Sequence, residues 1–232
     1  MTSRPRIAVV TFPGSNDDGD AALALDLVGA EAVRVWHADA ELPVDVTGVV
    51  LPGGFSYGDY LRCGAIARTA PVMDAVARFA ADGGPVLGIC NGFQILCETG
   101  LLPGVLRGNR QLEFVCRDIE VVVETSETPF TAGCGTGDRL VIPVKHGEGS
   151  WYADDELYDE LARREQIVFR YAEDVNGARD CVAGVVSERG NVMGLMPHPE
   201  HAVDTLLGPI GGLPILEGLV AAARERQLVG LS

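Results

Sequence analysis

An α/β fold, doubly wound around a mostly parallel sheet with helices on both faces and an antiparallel extension in the later half, is what three features of this 232-residue sequence predict. Short runs that are almost wholly apolar, such as residues 7–11 and 48–51, have the pattern of strands covered on both faces. Amphipathic stretches of helical length lie between them, so the early chain reads as β-α-β. Past residue 110, two longer runs carry interleaved polar residues, the pattern of antiparallel strands with one wetter face.

The elements follow in order. Residues 7–11 form a first strand, and 17–28 a helix with Asp17, Asp18 and Asp20 at the end where the helix dipole favours negative charge and Gly29 as its stop. Strands at 33–36 and 48–51 come next. A helix over 71–81, opened by Pro71 and closed by Gly83, leads to a strand at 85–89. Residues 114–123 and 139–145 form the antiparallel part, 191–196 is another short apolar run, and a helix over 214–224 closes the chain. With 47% hydrophobic residues the chain can bury a full core, and it holds no repeat, low-complexity tract or linker. One domain spanning 1–232 is expected. In such sheets ligands gather beyond the carboxyl ends of the strands.

Composition excludes some functions. The formal charge of −15 argues against nucleic acid and anionic membrane surfaces, which demand basic patches that 18 dispersed Lys and Arg do not make. Six cysteines, at 63, 90, 97, 116, 134 and 181, show no CxxC pair and no zinc-site spacing, so reduced thiols and no metal are expected. No stretch approaches the roughly 18 apolar residues of a membrane span, and nothing marks the chain for export. The expected location is cytoplasmic.

Two strings carry chemistry. Gly88-Ile89-Cys90-Asn91-Gly92-Phe93-Gln94 has the G-x-nucleophile-x-G spacing of a sharp strand-to-helix turn that exposes the central side chain. The free N–H groups of a helix N-terminus favour an anionic side chain there, the reactive form of a thiol. Alone, this string fits a buried structural thiol about as well. Far downstream stands Pro197-His198-Pro199-Glu200. Pro199 restricts His198 to extended backbone, in which residues two apart point the same way, so Glu200 can sit beside the imidazole and fix its tautomer. Nucleophile, base and orienter are then all present.

On the strength of these residues, the sequence resembles class I glutamine amidotransferases, which hydrolyse glutamine to glutamate and ammonia through a Cys-His-Glu triad on a flavodoxin-like sheet. Asn91 and Phe93 in the elbow, the segment Pro52-Gly53-Gly54-Phe55-Ser56-Tyr57-Gly58-Asp59-Tyr60-Leu61-Arg62-Cys63-Gly64-Ala65, and Lys145-His146-Gly147-Glu148-Gly149 resemble the family of glutaminase subunits of phosphoribosylformylglycinamidine synthases, enzymes of purine biosynthesis. The likeness runs along essentially the whole chain. It implies Cys90 as nucleophile, His198 as base and Glu200 as its holder.

An oxyanion needs backbone donors. Asn91, next after the nucleophile, supplies one N–H, and by resemblance Gly54 supplies the second. Gln94, one turn beyond Cys90, can face the substrate, and by resemblance the loop with His146 and Glu148 recognises the amino-acid end of glutamine. Phe55 to Arg62 reads as a site wall or partner contact, and Cys63, His37 and His201 as packing or surface residues. The chain lacks a G-x-x-x-x-G-K-[ST] loop, so no cofactor is expected in it, and ammonia must be used elsewhere. By resemblance the partners are an ATP-dependent synthetase subunit, expected to hold ATP and magnesium, and a small bridging subunit. The sequence leaves open an amidotransferase for a different acceptor, a redox or stress-response protein on a similar sheet, and a catalytically silent glutamine-binding subunit.

Overall fold

In the computed structural model, residues 3–229 are described; of the expected 1–232 span, residues 1, 2 and 230–232 lie outside them. The β-α-β reading emerges directly. Strand β1 (Arg6–Thr11) leads through α1 (Asp18–Leu27) to β2 (Glu31–Trp36) and β3 (Val46–Leu51). Helix α2 (Pro71–Ala81) carries Pro71 in its first turn, where a missing N–H costs nothing, and leads to β4 (Val86–Ile89) and α3 (Asn91–Glu98).

Strands β2-β1-β3-β4 lie side by side and parallel, and the late strand β11 (Val192–Leu195) joins them parallel to β4. The β1→β2 and β3→β4 crossovers run in opposite directions across the sheet. Right-handed connections therefore place α1 and α2 on opposite faces, which is why β1, β3 and β4 are almost wholly apolar.

The antiparallel part is larger than the two runs read from sequence. Beyond β11 the same sheet continues antiparallel through β10 (Val182–Val186), β9 (Ile167–Tyr171), β6 (Val115–Val123) and β7 (Arg139–His146), giving nine strands. A small antiparallel pair, β5 (Val105–Arg107) with β8 (Ser150–Tyr152), stands apart. Helix α4 (Asp155–Arg163) begins at Asp154, whose carboxylate accepts from the Leu157 N–H at 2.9 Å. Helix α5 (Leu213–Val229) runs longer than the 214–224 expected; its buried face ends at Ala223, and the extra turns are tied down by polar contacts, Arg226 donating to the Asp82 carboxylate at 2.6 Å and Gln227 to the Ser3 hydroxyl at 2.7 Å. One continuous buried cluster extends from Ile7 to Ala223.

Two tethers place the chemistry. The Cys90 N–H donates to the Leu195 carbonyl at 2.8 Å, fixing the end of β4 to the end of β11. The His198 N–H donates to the Pro143 carbonyl at 2.8 Å, tying the chain just past β11 to β7. Three strand ends thus converge where β4 hands over to α3.

Candidate active site

Cys90 occupies the turn itself, at φ 50° and ψ −103°. A non-glycine residue there stores strain of about 1–3 kcal/mol, and persists only because its surroundings dictate it. The flanking glycines are required by close approach: a Cβ on Gly92 would lie 2.0 Å from the Leu51 carbonyl oxygen, and one on Gly88 2.5 Å from Leu96 and 2.8 Å from Gly92 itself. The spacing read from sequence is thus a packing demand. Cys90 is nearly buried, and its thiol donates to the Lys145 carbonyl at 3.8 Å.

His198 and Glu200 meet as expected, with Nδ1 2.6 Å from Oε1, but the backbone differs from the extended segment predicted. Pro199–His201 form a short 3-10 turn, and this turn brings the two side chains together. Both are buried, and Glu200 Oε2 and His198 Nε2 have no hydrogen-bond partner among the described residues. Burial disfavours the charged imidazole, yet the charges of Glu200 and Cys90 outweigh it and raise the pKa of His198 well above its ordinary value. The ring is thereby poised to hold a proton.

A pocket of about 160 Å³ opens over Cys90, lined among others by Gly54, Asp59, Gln94, Lys145, His146 and Glu148. Gly54 sits at φ 143°, bridged to Ser15, where a Cβ would lie 2.6 Å from the Asn16 nitrogen, so only glycine fits. The Asn91 N–H belongs to the first turn of α3, which has no intrahelical acceptor to offer it. The Asn91 side chain is structural, accepting from the Ser56 N–H at 3.2 Å and donating to Gln94 Oε1 at 2.9 Å. Gln94 in turn donates to the Glu148 carbonyl at 2.6 Å. Its amide is engaged at both ends, so it braces the pocket wall.

His146 is buried, with Nδ1 3.0 Å from Asn109 Oδ1, which also accepts from the Gly149 N–H. Burial first, then the nearby His198, push its pKa down to about 4, so the ring is neutral. With Nδ1 donating to Asn109, the buried and unpartnered Nε2 is an acceptor. Burial, with the carboxylates of Glu148 and Asp59, pushes the Cys63 thiol far up, and burial plus the charge of Glu148 raises Asp59. Cys63 is therefore unsuited to attack. The pair of carboxylates makes this wall anionic.

Sequence reading missed Asp17 and undervalued Lys145 and His201. Asp17 is buried, its Oδ2 3.8 Å from His198 Nδ1, while its Oδ1 accepts from Lys145 Nζ and lies 3.2 Å from His201 Nε2. Asp17, His198, Glu200 and His201 bring ligand-type atoms within 4.8 Å of one another, and the Lys145 ammonium supplies positive charge among them. The group is an ion-pair network. His37 bonds Tyr57 at 2.6 Å, outside the site.

This geometry is that of a thiol amidohydrolase, and residues 4–211 match the family model described as a CobB/CobQ-like glutamine amidotransferase domain. The chain belongs to this amidotransferase family. Among its relatives is the phosphoribosylformylglycinamidine synthase subunit PurQ of Rhodopseudomonas palustris (strain BisB18), 54% identical over 223 residues that cover 92% of this chain and 96% of that one. The subunit of the same name from Rubrobacter xylanophilus is 55% identical over 219 residues, covering 94% and 99%. Among solved amidotransferase structures, that of PurLQS from Thermotoga maritima aligns with a TM-score of 0.87 at 43% identity, covering 94% of this chain and 98% of the matched one.

Proposed function

We propose that this chain is the glutaminase subunit of a phosphoribosylformylglycinamidine synthase, hydrolysing glutamine through Cys90, His198 and Glu200 and supplying ammonia to an ATP-dependent synthetase. The observation that carries the proposal is the strained Cys90 at a helix N-terminus, facing a pocket of about 160 Å³ with a buried His198–Glu200 couple near it. The named relatives, matched over nearly their whole length, supply the acceptor chemistry.

The Cys90 thiolate attacks the side-chain amide carbon of glutamine, and the resulting oxyanion is met by the Asn91 and Gly54 N–H groups. His198, an imidazolium at this stage, gives its Nε2 proton to the departing nitrogen, releasing ammonia and leaving a γ-glutamyl thioester. Water, deprotonated by the now neutral imidazole, then releases glutamate and restores the thiol. Glu200 keeps the Nδ1 proton in place throughout. The substrate ammonium suits the wall of Glu148 and Asp59, with His146 Nε2 as a neutral acceptor and Gln94 bracing the loop.

This chemistry draws on no metal or cofactor in the chain; ATP and magnesium belong to the synthetase, and a small bridging subunit completes the complex. The likeness to PurLQS from Thermotoga maritima supports that assembly, and the free cysteines suit the reducing cytoplasm. An acid-quenched reaction should carry the γ-glutamyl adduct on the Cys90 peptide by mass spectrometry. Adduct on another cysteine, or turnover surviving Cys90→Ala, would refute the assignment.

A further inference from the structure

Asp17 sits in the capping position of α1, yet its carboxylate makes no bond to that helix. A capping bond is worth about 1 kcal/mol, so turning away from it asks for compensation elsewhere. The side chain turns instead toward the imidazole, its Oδ2 3.8 Å from His198 Nδ1. Gly53 makes this approach possible, since a Cβ there would fall 2.5 Å from Asp17 Oδ2 and 2.6 Å from His198 Cε1. His198 therefore faces two buried carboxylates, Glu200 in direct contact and Asp17 just beyond it.

Two carboxylates would hold the imidazolium too firmly. A general acid must give up its proton to departing ammonia and then act as base toward water, and both steps fail if the charged ring is over-stabilised. The Lys145 ammonium answers this by bonding Asp17 Oδ1, with His201 Nε2 3.0 Å from the same ammonium. Lys145 also contributes the carbonyl that receives the Cys90 thiol, so one residue touches both halves of the couple.

Building on the glutaminase reading, we propose that Asp17 and Lys145 are positioning residues whose ion pair tunes the proton affinity of His198, Asp17 strengthening its hold on the proton and Lys145 moderating that hold. The titratable and charged groups facing the ring are Glu200 and His201 on its own turn, Asp17 before α1, Cys90 at the elbow, and Lys145 and His146 at the end of β7. Asp17 is the only carboxylate among them that is paired with an ammonium, and so the one whose influence another side chain can set. Its own pKa follows the same logic: burial pushes it up, but bonds from His201 and Lys145 and the charge of His198 hold it far below the ordinary range.

The test is a titration of the His198 imidazole by NMR in the full-length Cys90→Ala chain with 15N-labelled histidine, the Cys90 change removing the thiolate that would otherwise raise the ring. Asp17→Asn should lower the midpoint by about one unit, and Lys145→Met should raise it. Lys145→Arg should leave it in place, and adding Lys145→Met to Asp17→Asn should have little further effect, because the charge Lys145 moderates is gone. A merely structural ion pair gives shifts of one sign, or none, in the two single variants, and either result overturns the proposal. Glutamate release by the unmodified chain with its partners is a separate readout, so opposite shifts without any release would keep the ion-pair role and remove the glutaminase reading.

Discussion

His198 is buried, and burial alone would strip its proton; Glu200 and Cys90 reverse that balance. Glu200→Gln keeps the shape and removes the charge, so glutamine turnover should fall by roughly 10²- to 10⁴-fold, with the alkaline limb of the pH profile moving to lower pH. Unchanged turnover would exclude Glu200 as orienter. His146 titrates in the opposite sense. Its pKa lies at about 4 folded against 6.5 unfolded, so between those values the unfolded chain binds the extra proton and stability rises with pH. His198, raised in the fold, contributes stability fully present below 6.5 and lost as pH climbs through its folded value. Melting temperature should therefore drop as pH falls from 6.5 to 4, and His146→Asn should flatten that drop in calorimetry. Cys90, His198 and Glu200 were legible in the sequence because each sits in a short string with its own local geometry. Asp17 was not, since its partner Lys145 lies 128 residues away and nothing local to α1 signals the pairing.

At the scale of the element, the elbow is held by what its glycines leave out. Gly92→Ala would set a methyl 2.0 Å from the Leu51 carbonyl, a backbone atom that cannot step aside, and the chain should lose about 1–3 kcal/mol of stability or more and its activity with it. Gly108→Ala, with no atom within 4 Å of the added carbon, should stay within a few tenths of a kcal/mol of the parent. Equal denaturant midpoints for the two variants would contradict the packing account. The parallel strands were readable because burial on both faces leaves an unbroken apolar run. Strands β9 and β10 are equally apolar yet escape such a reading, for they follow no β-α-β rhythm and their antiparallel places are set by distant partners. The 3-10 turn at Pro199–His201 was hidden for a related reason: proline restricts the residue before it but also opens tight helical turns.

For the whole molecule, the sheet order explains why one end carries the chemistry. β4 and β11 are parallel neighbours, so their carboxyl ends deliver Cys90 and His198 side by side although the two residues are far apart in sequence. No helix among the described residues is long and apolar enough to cross a membrane. Free ammonia would be protonated and lost in neutral water, which gives a chain with this site reason to work inside a complex. The most direct measurement is glutamate release from glutamine by the purified chain, alone and with the proposed synthetase and bridging subunits, ATP and formylglycinamide ribonucleotide. The account predicts slow release alone, a rise on assembly, and loss of both in Cys90→Ala; release that is absent throughout, or that persists without the Cys90 thiol, would contradict it.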